Sequence, residues 1–171
     1  KLMTSVIRDL GLETDIFTSG FFRDTELYGA TSPIVVKIVN EKKTNKPVPP
    51  ISLKIKGEQI ILSSDELGTI KTEFNKVISL PNANIIILRN KNFVPTKSFA
   101  QKELLIKVSS LESKTKDFQN KLKVALVNKD VTVIKISIDY PNVDKAKDII
   151  NKLVEVYNAD AINDKNDESK K

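Results

Sequence analysis

The 171 residues carry 28 Lys+Arg against 22 Asp+Glu, a formal net charge of +6, with 40% apolar residues and neither His nor Cys. The length fits one domain, 1–171, able to bury about 70% of the surface its unfolded form exposes. The missing Cys excludes a disulfide framework, thiolate catalysis and sulfur metal sites; the missing His removes the commonest general base, the Ser-His-Asp triad and most zinc and copper sites.

The first element is read at Leu2–Leu10, where Leu2, Val6, Ile7 and Leu10 fall at helical spacing and Gly11 stands at the C-cap position. Residues 13–33 hold Phe17, Phe21, Phe22 and Tyr28 without a clear period, and read as a loop pinned to the core by its aromatics in preference to a clustered-aromatic binding surface. Short β signals follow. Residues 34–39 are β-branched, and the prolines at 47, 49 and 50 mark an edge or a connection. Ile51, Leu53 and Ile55 alternate with Ser52, Lys54 and Lys56, so the first three face a core and the two lysines face water. Gly57-Glu58 is a hairpin turn into residues 59–62, residues 63–68 are a polar break, 69–80 alternate weakly, and Pro81-Asn82 turns the chain into 85–88. Together these pieces predict an antiparallel meander.

Residues 90–102 read as a loop and 104–108 as a strand, after which Ser109 and Glu112 form a capping box for a helix carrying Leu111, Thr115, Phe118 and Leu122 on one face. Two strands, 124–127 and 131–138, bracket the turn Asn128-Lys129-Asp130, with Ile134, Ile136 and Ile138 on one apolar face. The last helix starts after the N-cap Asn142, with Asp144 in its first turn. Its apolar stripe, Val143, Ala146, Ile150, Leu153 and Tyr157, is expected to pack on the sheet, and residues past Asp160 to be exposed. The predicted fold class is α+β: a mixed, antiparallel-rich sheet packed with a few helices.

No catalytic, cofactor-binding or metal-binding residue emerges. The five glycines (Gly11, Gly20, Gly29, Gly57, Gly68) lie too far apart for a phosphate-cradling loop. Asp65–Glu66 and Asp167–Glu168 are adjacent carboxylates that point in different directions, which suits neither acid/base chemistry nor a metal. Asp9 and Glu13 flank a helix end and read as solvated, while Ser109–Ser110 would need a Lys base to act as a nucleophile. Lysines are spread along the chain and Arg occurs only at positions 8, 23 and 89, a pattern of a solvated surface rather than a nucleic-acid interface. No apolar run reaches the roughly 20 residues of a membrane span, and no signal peptide is readable. The start at Lys1 and the polar end at 166–171 read as cuts from a longer protein.

The segment Ser5-Val6-Ile7-Arg8-Asp9-Leu10-Gly11-Leu12 resembles the end of the first periplasmic helix in the polysaccharide co-polymerase family, the Wzz/Wzc-type chain-length determinants. The strand 134–138, then Asp144-Lys145-Ala146, Ile149-Ile150-Asn151-Lys152-Leu153 and Tyr157, is similar to that family's closing strand–helix unit. The resemblance implies a Wzz-like periplasmic domain between two inner-membrane helices, forming homo-oligomeric rings that set the length of O-antigen, capsular or exopolysaccharide chains. Its partners would be other copies, the polysaccharide polymerase and the growing glycan, with no cofactor and no nucleic acid. Some members carry a cytoplasmic tyrosine autokinase; no kinase motif stands in this chain, which is read as non-enzymatic. A different reading is an extracytoplasmic ligand-binding or adhesion-type surface module. A third, a carboxylate-only glycosidase, would need two positioned acids and finds none paired, and no Trp to stack a sugar.

Overall fold

A computed structural model describes residues 1–19, 23–44, 47–96, 103–128 and 133–169. Within the span expected as one domain the chain forms two compact units: Gly11–Ser110, and the two flanking stretches Lys1–Leu10 and Leu111–Lys171 taken together. The architecture is mixed α+β with antiparallel sheets.

Among the described residues, the inserted unit is all β apart from one short 3-10 turn. Its strands are β1 (Thr14–Thr18), β2 (Thr25–Leu27), β3 (Ile34–Glu41), β4 (Ile51–Lys56), β5 (Gln59–Ser64), β6 (Gly68–Glu73), β7 (Val77–Ser79), β8 (Ala83–Arg89) and β9 (Leu104–Val108). Six of them form a sheet in the order β2-β1-β9-β4-β5-β6, and a second sheet runs β3-β8-β7. Side chains with period two enclose one core between the sheets: Ile51, Leu53, Ile60, Leu62, Leu104 and Ile106 from the larger, with Ile34, Val36, Ile78, Ile85 and Ile87 from the smaller. The Thr14 hydroxyl reaches the Val36 carbonyl at 3.3 Å, and the Asn82 amide donates to the Val108 carbonyl at 2.9 Å.

Several expectations hold here. The β4–β5 hairpin closes through Gly57, whose φ of +59° is open to glycine at little steric cost, with Lys56 opposite Gln59. Others need correction. The meander survives as β4-β5-β6 and as the β7–β8 hairpin, because β7 and β8 leave it to join β3 in the second sheet, while β9, last in sequence, takes a central place between β1 and β4. Its Leu104, Ile106 and Val108 are all buried, so the strand gains most in the middle. The polar break at 63–68 shrinks to three residues, since Ser63 and Ser64 stay on the β5–β6 ladder. The segment read as a loop between 13 and 33 contributes two strands. β1 is buried over Asp15, Ile16 and Thr18, and its acidic and hydroxyl residues hid the strand from a pattern search. Phe21 and Phe22 lie outside the described residues, as does part of the 90–102 loop.

The second unit comprises α1 (Leu2–Leu10), α2 (Leu111–Lys121), a hairpin of β10 (Leu122–Asn128) and β11 (Val133–Ile138), and α3 (Val143–Glu168). Of the expected turn Asn128-Lys129-Asp130, Asn128 instead ends β10, and residues 129–132, which include the expected start of the second strand, lie outside the described residues. α1 ends at Gly11 with φ +62°, and buries Met3, Val6 and Ile7. α2 starts at Leu111, so Ser110 rather than Ser109 precedes its first turn, and the expected capping box does not set its start. The Ser109 amide instead donates to the Glu13 carbonyl at 2.8 Å within the inserted unit.

α3 begins as expected, with the Asn142 side chain accepting from the Lys145 amide at 3.0 Å. Its packing face is rotated from the expected stripe. Lys145, Ile149 and Leu153 are buried, Ala146 and Ile150 half-buried, and Val143 and Tyr157 exposed. The principal partner is α1, not the sheet. The two helices run antiparallel, with Lys1 3.9 Å from Asp160 and Lys152 3.5 Å from Asp9. The rotation turns on Lys145. Its stem lies in the interior while its ammonium sits 5.3 Å from the centre of the Tyr140 ring, so a residue that reads as polar occupies a core position. Residues 162–169 are exposed.

Candidate functional site

Two surfaces, one in each unit, stand out from the rest of the described residues. The first lies on the outward face of the six-stranded sheet. Register pairs Leu105 with Ser52, Ser52 with Ser63, and Ser63 with Thr69, so these four side chains form one row across β9, β4, β5 and β6. Pro49 and Pro50 frame one end, the β5–β6 turn with Asp65 and Gly68 the other, and the groove encloses about 430 Å³. The turn needs Gly68, whose φ is +64°. The Ser64 hydroxyl holds it by accepting the Leu67 amide at 3.1 Å.

The groove is lined by hydroxyls and one carboxylate. Ser52 donates its hydroxyl to Glu103, which also stands 4.0 Å from the Lys54 ammonium. The side chains of Ser63, Asp65 and Thr69 have no partner within the described residues. Such a surface can donate and accept hydrogen bonds, and the described residues that line it include no paired acids for proton transfer.

The second surface is the β10–β11 ribbon. Leu122, Val124 and Leu126 oppose Ile138, Ile136 and Ile134 on one face, and Val127 and Val133 add to the other. Val124 is 62% exposed, Leu126 68% and Ile134 53%. Among the described residues neither strand has a second neighbour. At its root, Phe118 and Tyr140 lie 5.5 Å apart, with the ammonium groups of Lys114, Lys121 and Lys145 within 5.3–5.7 Å of these rings. These contacts belong to the interior of the helical unit, where Phe118 is fully buried.

No family model matches the chain, and no curated protein matches it in sequence.

The residues weighed in the sequence are dispersed. Asp65 enters the groove, while Glu66 is exposed and does not line it. Asp9 is exposed and pairs with Lys152. Glu13, expected in solvent, is buried, because Gly11 turns the chain so that Leu12 and Glu13 enter the base of β1. Asp167 and Glu168 lie on the exposed end of α3. Among the described residues no group of three or more acidic side chains could hold a metal ion, and no helix is long and apolar enough to cross a membrane. The hydroxyl row escaped the sequence reading because it exists only through strand register. Its one local signal was Ser52 on the solvent side of the β4 alternation.

Proposed function

We propose that the chain is the periplasmic domain of an inner-membrane polysaccharide co-polymerase of the chain-length-determinant type. It would act without catalysis, through homo-oligomeric assembly and contacts with the polymerase and the growing glycan. The observation that carries this reading is the β10–β11 ribbon. Five large apolar side chains exposed on a two-stranded sheet, Val124, Leu126, Val127, Val133 and Ile134, are what a surface built for association presents. Such a ribbon is marginal by itself in water and gains from a partner. Two features agree with the Wzz-like layout that the sequence resembles: α1 ends at Gly11, and β11 leads through the Asn142 cap into the long α3.

The test uses the full-length membrane protein in cells that depend on it for surface polysaccharide. Leu126→Glu with Ile134→Glu should reduce the oligomer on native gels and broaden or shorten the polysaccharide length distribution. If oligomer and length distribution both stay unchanged while the variant is folded, the reading fails. A length-independent loss of surface binding would favour the adhesion-type module instead.

A further inference from the structure

We infer that the groove beside Pro49 and Pro50 binds a short neutral oligosaccharide. The choice of a glycan as occupant rests on the proposed function; its length and charge class come from the groove itself. Neighbouring strands lie about 4.8 Å apart, so the hydroxyls of Ser52, Ser63 and Thr69 on three adjacent strands make a ladder about 10 Å long. A disaccharide presents hydroxyls along a similar length, each able to donate and accept, as these are. The ladder is available. Ser63 and Thr69 have no side-chain partner among the described residues, and Ser52, having donated to Glu103, keeps its lone pairs for a ligand hydroxyl.

The walls fit the rest of a sugar. The Pro49 and Pro50 rings offer C–H surface to the apolar face of a pyranose, and the Asp65 carboxylate, without a partner among the described residues, can accept two ligand hydroxyls. A volume of about 430 Å³ lies in the range of small-ligand sites, about 300–1,000 Å³. Charge then selects the class. The chain as a whole carries +6, yet among the described residues that line the groove Asp65 is the only charged one, and Glu103 at its border is paired with Lys54. An acidic sugar would set its carboxylate against that of Asp65 with no cation in the lining to offset it, so a neutral one is preferred.

Amide chemical shifts of the isotope-labelled chain, titrated with cellobiose, di-N-acetylchitobiose and digalacturonate, test this directly. At least one neutral probe should produce saturable shifts confined to residues 49–52, 63–69 and 105, and digalacturonate should not. Ser63→Ala with Thr69→Val should weaken the neutral probe about tenfold, the worth of two neutral hydrogen bonds, without lowering the melting temperature. Asp65→Asn should let digalacturonate in. Silence from both neutral probes, equal binding of the acidic one, or shifts elsewhere on the chain would overturn the inference. Because this readout does not depend on assembly, a failed titration leaves the ribbon experiment standing, and the converse holds too.

Discussion

Truncating Ile149 to Ala tests the rotated face of α3, because its neighbour Ile150 supplies an internal control of the same chemistry. Ile149 is fully buried, whereas Ile150, which the sequence pattern puts on the stripe, is only half-buried. Ile149→Ala removes three buried carbons, worth about 2.4 kcal/mol at about 0.8 kcal/mol per methylene. The cavity left between α3 and α1 raises the cost to about 3 kcal/mol or more, within the roughly 2–5 kcal/mol of such core truncations. At Ile150 part of the side chain is already in water and the vacated space refills with solvent, so Ile150→Ala should cost about 1–1.5 kcal/mol. Urea unfolding followed by far-UV circular dichroism is the right assay. α1, α2 and α3 all belong to one unit, so the helical signal reports that unit's stability. Equal costs at the two positions, or a larger one at Ile150, would refute this placement of the helix.

Two further outcomes are expected. Asn142→Ala removes the cap that accepts the Lys145 amide and should lower stability by about 1 kcal/mol in the same unfolding assay, while Asn142→Ser should recover most of it. The Lys152 ammonium is held above its ordinary 10.5 chiefly by its hydrogen bond to Glu155, with the charges of Glu155 and Asp9 adding to the effect against partial desolvation. The folded chain therefore keeps this proton where the unfolded chain has lost it. Its contribution is complete at neutral pH and disappears as the pH climbs through the raised folded value. Glu155→Gln should lower the Lys152 midpoint in an NMR titration, and a wild-type midpoint at or below the ordinary value would contradict the geometry.

What the sequence made legible was local. The alternation at 51–56, the Gly57 turn, the Gly11 stop and the Asn142 cap each involve residues within a turn of one another, and each is where the pattern places it. Two kinds of feature were not legible. One is a core position held by a residue of the wrong polarity: Lys145 on α3, and Asp15 on β1, broke patterns that depend on apolar spacing. The other is long-range pairing. Nothing between residues 51 and 64 announces that Leu105 will lie beside Ser52, so neither the sheet order nor the groove could be read before the register was known.

The nesting of one unit inside the other bears on the order in which the chain can fold. α1 leaves the synthetic machinery before the rest of its unit, and every helix it packs against lies beyond residue 110. In an open coil, closing so long a loop carries an entropic charge that grows with the logarithm of its length. The inserted β unit removes most of that charge. Once folded, it holds residue 13 against residue 109 through the 2.8 Å bond between the Ser109 amide and the Glu13 carbonyl, so the points where the chain enters and leaves the inserted unit lie side by side. Its own completion waits for β9, which lies between β1 and β4, so the six-stranded sheet cannot close before residues 104–108 are in place. Damage to β9 is thus expected to slow assembly of helices it never joins, a kinetic dependence that runs one way along the chain.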